Sequence, residues 1–387
     1  MLPPPLAGIR VLELGSTVAG PSAGRLLADL GADVYKIEPA GGDQLRTWGV
    51  ISPDGTGWWF KSHNRNKRLL TFDLRDAGDV ASVAAMALKC DVVLENFRPG
   101  YLARLGLDAA ALRAKKPELI YLSISGYGQS GPYADRPGYG SIAEAMGGLR
   151  YITGETDGPP MRVGISLGDE IAALYAVVGV LAALRGRDRD SVGETIDVSL
   201  IESSFSLLQG ALPEYIHAGA IARRTGNVLN SAAPSNVYPT RDGEWLAIGG
   251  NGQGIFRRLA GAMGRPELAD DERFASNQGR RQHVALLDAM IGAWTQSLDL
   301  AEADALLAAA GVPAGPVMSV AQIVANPQFK ARDAVVYARD DDGTPIATYA
   351  SPVRLRERPL GVGRAAGAIG RDQDTALAEL GISRAKE

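Results

Sequence analysis

Two adjacent carboxylates, Asp169 and Glu170, stand at the start of an apolar stretch in the segment "VGISLGDEIAALYAVVGVLAALRG". The apolar residues that follow them, Ile171 to Leu184, predict a buried helix of about 14 residues. Two interpretations of Asp169 are open. It could cap this helix by accepting a backbone N–H at the positive end of the helix dipole. It could also be a nucleophile or a base, because a carboxylate at the edge of an apolar core is a reactive group. Glu170 is interpreted as a helix N-terminal acid without chemistry.

Other catalytic arrangements are weaker in this sequence. The pattern Gly-x-Ser-x-Gly of hydrolases occurs around Ser22 and Ser166. A nucleophilic serine of that type needs a sharp turn directly between a strand and a helix. Ser22 lies inside a predicted helix, and Ser166 follows only a short, weak strand, so a serine hydrolase is disfavoured. The three histidines have no metal-ligand spacing, and neither HExxH nor CxxC occurs, so no metal site is predicted.

Composition limits the class of protein. A chain of 387 residues, 46% of them hydrophobic, is long enough for two domains. A net charge of −4 argues against nucleic acid as a partner. The single cysteine, Cys90, excludes an intramolecular disulfide. No signal peptide is recognised at the N-terminus, and the predicted apolar helix is shorter than the roughly 20 residues of a membrane span. We therefore expect a soluble, cytoplasmic protein without a membrane partner.

The elements that must position Asp169 alternate between strands and helices. β-rich runs such as "IRVLELG", "DVYKIE", "RLLTFDL", "CDVVLENF" and "ELIYLSISG" are separated by helical runs such as "PSAGRLLADLGA" and "AGDVASVAAMALK". This alternation predicts an α/β fold with a parallel, doubly wound sheet. Ligands collect at the carboxyl ends of the strands in such a sheet.

The composition and the pattern of predicted elements divide the chain into four regions. Residues 1–218 are predicted to form a large domain, and the Gly/Ser/Asn/Pro-rich residues 219–240 a linker. Residues 241–322, with one strand and three helical runs, are predicted to form a small domain. Residues 323–387 are predicted to return to the large domain through a hairpin about an Asp-Gly turn and a last helix.

A nicotinamide-dependent oxidoreductase is the alternative from another class of enzyme. The segment "GSTVAGPSAG" lies between a strand and a helix, where dinucleotide folds hold phosphate, and Glu38 ends the next strand. Its glycines, however, do not have the spacing G-x-G-x-x-G. That spacing does occur in "GYGQSG", but "PYADRP" follows it and does not open a helix. None of the twelve tyrosines is followed four positions later by the lysine that a short-chain dehydrogenase needs.

Several segments together resemble one known family. "NRNKRLLTFDLR", "DVVLENFRPG", "LSISGYGQSGPYADRPGYG", "GGNGQG", "NPQFKAR" and "LAELGIS" are similar to motifs of the class III CoA-transferases, which include formyl-CoA:oxalate and carnitine CoA-transferases. The resemblance covers nearly the whole chain. It implies a Rossmann-like large domain, a smaller domain, and a homodimer of two subunits threaded through each other as interlocked rings.

The resemblance also implies a reaction. Members of the family use one aspartate as a covalent nucleophile, and "LGD" places it at Asp169. The carboxylate would attack an acyl-CoA thioester to give an acyl-aspartyl anhydride and then an aspartyl-CoA thioester, from which an acceptor acid takes the CoA. Both intermediates are activated acyl groups, so neither ATP nor a permanently bound cofactor is implied, and the CoA thioester is a substrate.

Residues for CoA follow from the same resemblance. Arg75 and Arg104 are implied as phosphate contacts, and Asn96 and Phe97 as the lining of the adenine–pantetheine channel. From the residues alone, a basic cluster that begins in "NRNKR" is a candidate for the phosphates. Its alternatives are a solvated surface patch or short-range salt pairing with Asp73 and Asp76. That cluster consists of Arg65, Lys67, Arg68 and then Arg75.

The acid-binding side is implied by three further segments. The loop with Gly249, Gly250 and Gly252 matches a lid over the intermediates, and Tyr139 matches a tyrosine near the active aspartate. Racemases of the superfamily carry a histidine in the segment where this chain has Tyr139 and Gly140, so an acyl-CoA racemase is the weaker alternative.

The acid substrate is predicted from two side chains. Val18 stands where oxalate-using members carry a glutamine, which disfavours oxalate. Arg46 either binds a distal carboxylate or pairs with Asp43. We therefore expect a small dicarboxylic acid as acceptor.

Overall fold

The computed structural model describes residues 2–229 and 231–384. Met1, Asn230 and residues 385–387 lie outside the described residues; they belong to the predicted large domain, linker and return segment. The chain divides into two compact units. The first comprises residues 1–149, 162–220 and 327–387, and the second comprises residues 150–161 and 221–326.

Strands and helices alternate through the first unit. The described strands are β1 (Arg10–Glu13), β2 (Asp33–Glu38), β3 (Arg68–Thr71), β4 (Val92–Glu95), β5 (Ile120–Ser125), β6 (Thr195–Ser199), β7 (Ser235–Pro239), β8 (Trp245–Gly249), β9 (Ala314–Pro316), β10 (Val335–Arg339) and β11 (Pro345–Tyr349). Three of these strands, β7, β8 and β9, belong to the second unit.

The α-helices follow the same chain order. They are α1 (Ala19–Asp29), α2 (Trp58–His63), α3 (Ala77–Lys89), α4 (Ala109–Arg113), α5 (Gly140–Met146), α6 (Leu149–Ile152), α7 (Leu167–Asp190), α8 (Leu200–Phe205), α9 (Ala211–Ala218), α10 (Gln253–Ala262), α11 (Asn277–Gln282), α12 (Val284–Thr295), α13 (Leu300–Ala309), α14 (Val320–Ala325), α15 (Pro327–Ala331) and α16 (Gln373–Leu380).

A six-stranded sheet in the order β3-β2-β1-β4-β5-β6 forms the centre of the first unit. Every pair of neighbouring strands in it is parallel. The predicted parallel, doubly wound sheet is therefore confirmed. Strand order reverses between β1 and β4, so the connections after these two strands leave in opposite directions. A crevice opens at the carboxyl edge between them, and this is where a site is expected.

Two hydrophobic layers cover the sheet. Because side chains alternate along a strand, Val11 packs on one face with residues of α1 and α7. Its neighbour Leu12 packs on the other face with residues of α3 and α16. The return segment thus supplies part of the core of the first unit. Its hairpin pairs β10 with β11 in antiparallel register and turns at Gly343, whose φ is 85°.

Helix α7 is longer than the sequence predicted. It has 24 residues rather than about 14, because it begins at Leu167 instead of Ile171 and continues past Leu184 to Asp190. Arg187 Nη1 anchors this extension by an ion pair with Asp91, at 2.8 Å. By length and composition alone α7 could cross a membrane, and 39% of its most apolar window is buried. One face packs against α1, β5 and β6.

The second unit is built on a small antiparallel sheet, β7-β8-β9. Its core includes Leu246 and Ile248 of β8, Phe256 of α10 and Ile291 of α12. Part of the predicted linker 219–240 has a regular structure, since Ser235–Pro239 is strand β7 and pairs with β8. The polar residues of this segment are explained by side-chain bonds, such as that from Asn236 Nδ2 to Asp288 Oδ2, at 2.8 Å.

A buried charge cluster lies beneath the β1–α1 connection. Glu13 at the end of β1 pairs with Lys36 at 3.1 Å and with Lys67 at 2.7 Å, and all three side chains are fully buried. Lys36 also pairs with Asp43, at 2.9 Å. A buried carboxylate is stabilised only where such partners are present. Gly24 of α1 lies directly against it: a Cβ there would be 1.8 Å from Glu13 Oε2.

We predict that Gly24→Ala destabilises the protein by about 2 kcal/mol or more, because the methyl group displaces a buried, paired carboxylate. The matched control is Gly186→Ala in α7, where a Cβ meets nothing within 4 Å. That change should stabilise by about 0.5–1 kcal/mol through helix propensity. Urea denaturation of the three proteins measures both effects, and an equal response at the two positions would contradict the prediction.

Candidate active site

A cavity of about 450 Å³ lies at the carboxyl edge of the parallel sheet. Val18 follows β1 in its wall, Asn96 and Phe97 follow β4, and Ser125 ends β5. Asp169 projects into the same cavity from the first turn of α7. The structure therefore brings together four of the sequence-predicted site residues, and Tyr139 lies in the wall with them.

Asp169 does not cap helix α7. The helix begins at Leu167 with Ser166 as its N-cap, and Ser166 makes no side-chain capping bond. Burial and, to a smaller extent, the charges of Glu144 and Glu170 raise the pKa of the Asp169 carboxyl to about 7, against the opposing charge of Arg162. Loss of hydration therefore outweighs the contributions that favour the ionised form of this group.

Glu144 is the buried acid behind Asp169, and sequence analysis did not identify it. Its side chain is 2% exposed, and its Oε1 accepts the Gly168 N–H at 3.2 Å. Helix α5, which carries Glu144, approaches α7 closely at Gly140. A Cβ on Gly140 would lie 1.9 Å from Asp169 Oδ2. Gly140 is thus the residue that leaves room for the reactive carboxylate, and any side chain there would displace it.

Glu170 is held on the other side of the helix start. Its Oε1 accepts a hydrogen bond from Ser22 Oγ at 2.8 Å and lies 2.9 Å from His63 Nε2, and its Oε2 lies 3.5 Å from Arg25. Burial alone would raise the pKa of Glu170, but the bonds from His63 and Ser22 outweigh it and lower that pKa. The carboxylate is thus satisfied by a polar cluster, consistent with no chemical role.

The β1–α1 connection forms the wall opposite Asp169. Asn96 Oδ1 accepts the Ser16 N–H at 2.9 Å, and Asn96 Nδ2 donates to Ser16 O at 3.0 Å. Thr17 has a φ of 68° and donates its N–H to Asp43 at 3.1 Å. Asn96 therefore positions the connection rather than offering a free amide to a ligand. Val18, 4% exposed, is held in the wall by these bonds.

Two further cavities adjoin the first one at Phe97. One of about 380 Å³ is lined by Phe97, Tyr101 and Arg75, and another of about 330 Å³ by Phe97, Tyr101 and Arg104. The Phe97 and Tyr101 rings are stacked with centroids 4.9 Å apart. The Arg75 side chain is 87% exposed and pairs with Asp73 at 2.7 Å. The three cavities meet at Phe97, so Arg75 and Arg104 lie in cavities that adjoin the cavity of Asp169.

The other predicted cations are structural. Arg65 is fully buried and donates through Nε to Asp29 at 3.1 Å, and Lys67 is fully buried beside Glu13. Neither is a phosphate ligand or part of a solvated patch. Arg46 is buried, pairs through Nε with Glu38 at 2.7 Å, and its guanidinium lies 3.9 Å from the Phe60 ring centroid. It is not available to a distal carboxylate, because its guanidinium is buried and bonded to Glu38 and to Gly367 O, and the expected partner Asp43 pairs with Lys36 instead.

Arg68, the third member of the predicted basic cluster, is partly exposed. It pairs with Glu379 of α16 at 3.0 Å and lies 4.0 Å from Asp33. Arg68 therefore connects strand β3 of the sheet to helix α16 of the return segment by an ion pair. Among residues 2–229 and 231–384 there is also no group of three or more His, Cys, Asp or Glu side chains that could hold a metal ion.

The glycine loop belongs to the second unit. Gly249 and Gly250 donate their N–H groups to Pro313 O and Pro234 O, each at 2.9 Å, and Gly252 is the N-cap of α10. Sequence analysis missed the residue that supports this loop. Arg280 is fully buried and donates to Asn251 O at 2.9 Å and to the Gln253 side chain at 2.8 Å. Because Asn251 O is directed at Arg280, the N–H of the same peptide is directed away from it.

Comparison with known proteins agrees with these features. The model of the family described as "CoA-transferase family III" matches residues 6–373. The succinyl-CoA–D-citramalate CoA-transferase of Chloroflexus aurantiacus is 45% identical, over 98% of this chain and 94% of that protein. The succinate–glutarate CoA-transferase of Agrobacterium fabrum is 41% identical, over 97% and 96%. The crystal structure of a CAIB/BAIF family protein from Brucella suis has a TM-score of 0.88 and 36% identity, over 98% and 100% of the two chains.

We predict that Asp169→Asn stabilises the protein more at pH 8 than at pH 5. The folded-state pKa of about 7 lies above the ordinary 3.8. Between these values the unfolded chain is ionised while the folded protein keeps its proton, so stability falls as the pH rises and stops falling once the buried group ionises. The neutral amide removes this penalty, and we expect its gain to be about 2–3 kcal/mol larger at pH 8 than at pH 5.

Urea denaturation at both pH values measures the difference. Glu118→Gln, which removes an exposed carboxylate, is the control and should have the same small effect at both. A gain for Asp169→Asn that did not depend on pH would contradict the assignment of a raised pKa.

Proposed function

This chain belongs to CoA-transferase family III and is a CoA-transferase, and we propose that it moves CoA between small dicarboxylic acids through a covalent intermediate on Asp169. The observation that carries the proposal is the Asp169 carboxylate, which projects into a cavity at the carboxyl edge of the sheet. Both relatives named above are CoA-transferases whose names contain small dicarboxylic acids. We propose a succinyl-CoA-like donor on that basis.

The proposed reaction begins with attack on the thioester. An Asp169 oxygen forms a bond to the acyl carbonyl carbon, the C–S bond breaks, and CoA leaves as the thiolate. The product is an acyl-aspartyl anhydride. The thiolate then attacks the aspartyl carbonyl and releases the donor acid as a carboxylate, which leaves an aspartyl-CoA thioester. Each step exchanges one activated acyl group for another, so no bound cofactor is needed.

The second half of the reaction repeats these steps in reverse order. The acceptor carboxylate attacks the aspartyl thioester, and CoA thiolate leaves again. The thiolate then attacks the acceptor carbonyl of the new anhydride, which yields the acceptor CoA ester and free Asp169. Water must be excluded throughout, because an anhydride hydrolyses. The apolar residues behind Asp169, including Ile171 and Ala172, support this requirement since they are buried.

We propose that CoA lies along the three adjoining cavities. Its thiol end would reach Asp169, and its pantetheine would pass Asn96 and the stacked rings of Phe97 and Tyr101. Arg75 and Arg104 would contact its phosphates, as charge and exposure allow. Arg75 must exchange its bond to Asp73 for a phosphate, whereas Arg104 lies 5.6 Å over the Tyr101 ring.

The other proposed parts of the site follow the family resemblance. Gly249, Gly250 and Gly252 are proposed as a lid, supported by the outward N–H of the Asn251–Gly252 peptide. Tyr139, 74% exposed, is proposed as a contact of the acid substrate, and Val18 as an apolar contact.

We propose a cytoplasmic homodimer. Helix α7 exposes Leu174, Tyr175, Val178 and Leu181 on one face, with 39–62% of each residue accessible. This apolar face of a long central helix is a surface that a second copy of the chain would cover.

We predict that Asp169→Ala abolishes transfer and leaves CoA binding largely intact, because it removes the nucleophile and none of the proposed CoA contacts. Intact-protein mass spectrometry after mixing with succinyl-CoA should show a covalent adduct on the wild type and on the Glu118→Gln control. The adduct should disappear with hydroxylamine and be absent from Asp169→Ala. Near wild-type turnover by the variant would refute the assignment of the nucleophile.

We predict that Arg104→Ala raises KM for CoA esters by about tenfold and changes kcat little. A phosphate contact stabilises the ground state and the transition state alike, and a charge-assisted bond contributes about 1.5 kcal/mol or more. Steady-state kinetics with CoA and 3′-dephospho-CoA esters would test this. An unchanged KM, with both esters used equally well, would count against the phosphate contact.

A further inference from the structure

Three arginines line the cavity that holds Asp169: Arg98, Arg136 and Arg162. In the part of the chain that the structure describes, Asp169 is the one acid in this wall. The arginines contact other groups: Arg136 lies over the Tyr133 ring at 3.7 Å, and Arg162 donates to backbone carbonyls. The wall therefore carries more positive than negative charge, and an anionic ligand would balance it.

The three cations differ in where they face. Arg98 also lines the adjoining cavity that contains Arg104, so it lies towards the proposed CoA side. Arg136 is exposed and stacked on Tyr133. Arg162 is bonded to backbone carbonyls of the segment that leads into α7, the helix that carries Asp169. Of the three, Arg162 is thus the cation that is fixed to the same segment as Asp169.

The Arg162 side chain is held and still has donors to offer. Its Nε donates to Val163 O at 3.2 Å, and its Nη2 donates to Ile165 O at 3.0 Å. A guanidinium has five N–H donors, so three remain after these two bonds. Both carbonyls belong to the short segment that leads into α7. The guanidinium is therefore fixed by the same segment that positions Asp169, and its free edge suits a carboxylate.

A dicarboxylic substrate brings a second charge close to Asp169. When one carboxyl carbon of succinate or glutarate is at the point of attack, the other is about 4–5 Å away along the chain. It remains ionised in the monothioester, since only one carboxyl group is esterified. An ionised carboxylate in a half-buried cavity needs a cationic partner.

We propose that Arg162 binds the distal carboxylate of the donor acyl group and of the acceptor acid, and so selects dicarboxylates over monocarboxylates of equal length. This inference rests on the transfer function proposed above. It replaces Arg46, which is occupied by Glu38, as the cation for the distal carboxylate.

The test compares succinyl-CoA with butyryl-CoA, which has the same length but no distal carboxylate. Without an acceptor the enzyme releases one equivalent of the free acid and stops at the aspartyl-CoA thioester, so the second-order rate constant of this single release reports the first half of the reaction. For Arg162→Gln we expect this rate constant to fall about 10–100-fold with succinyl-CoA and to stay within about threefold with butyryl-CoA. Arg162→Lys should recover part of the loss, because lysine keeps the charge and lacks the planar fork.

Two further variants complete the test. Arg356→Gln removes an exposed charge of the return segment outside the cavity wall and should leave both donors unchanged. Arg136→Gln removes a neighbouring cation of the wall. An equal loss with both donors in Arg162→Gln would overturn the proposal, since it would indicate a general effect on Asp169. A loss selective for succinyl-CoA in Arg136→Gln instead of Arg162→Gln would overturn it as well.

The wild type separates this inference from the proposed function. If the wild type releases both acids equally well, transfer stands and the selection by Arg162 is refuted. If it releases neither acid, the transfer function fails and the inference fails with it. Preference for succinyl-CoA by the wild type, lost in Arg162→Gln alone, supports both.

Discussion

The ionisation of Asp169 is the constraint on which the site depends. A carboxylate must be ionised to attack a thioester, but burial and two neighbouring acids raise the pKa of this group to about 7. The same surroundings that make it a stronger base also make its charged form less stable. The charge of Arg162 opposes this rise in pKa, but its effect is smaller than that of burial. In the proposed reaction the ionisation of Asp169 is therefore set mainly by the burial of its carboxyl group.

The β1–α1 connection in the cavity wall is held by buried ion pairs that do not include Asp169. Glu13, Lys36 and Lys67 are fully buried beneath the β1–α1 connection, and Lys36 also donates to Gly15 O at 2.8 Å. With Asn96 bound to both polar groups of Ser16, they fix a connection that contains a residue at positive φ. Such buried ion pairs favour one arrangement more than they add stability. These bonds hold the connection that carries Val18 in the wall of the cavity.

Much of the fold could be predicted because it depends on local patterns. Alternating β and α runs predict the parallel sheet, and "LGD" places Asp169 at the start of α7, as the structure has it. Charges were harder to interpret, since a sequence does not show which ones are buried. Arg46, Arg65 and Lys67 read as surface cations and are interior ion pairs, because partners such as Glu38, Asp29 and Glu13 come from other strands or helices. Glu144 was missed for the same reason, since it is buried. Arg162 is exposed, and only the fold shows that it lines the cavity of Asp169.

Helix α7 has one buried and one exposed apolar face, and its sequence pattern does not distinguish them. Its apolar residues surround the whole helix, so periodicity predicts burial on every side. In the structure Ala172, Ala176 and Val180 pack into the first unit, while Leu174, Val178 and Leu181 remain exposed. A helix needs only one of these faces to fold against the sheet. The other face is exposed in the single chain, and it is the surface that the proposed second subunit would cover.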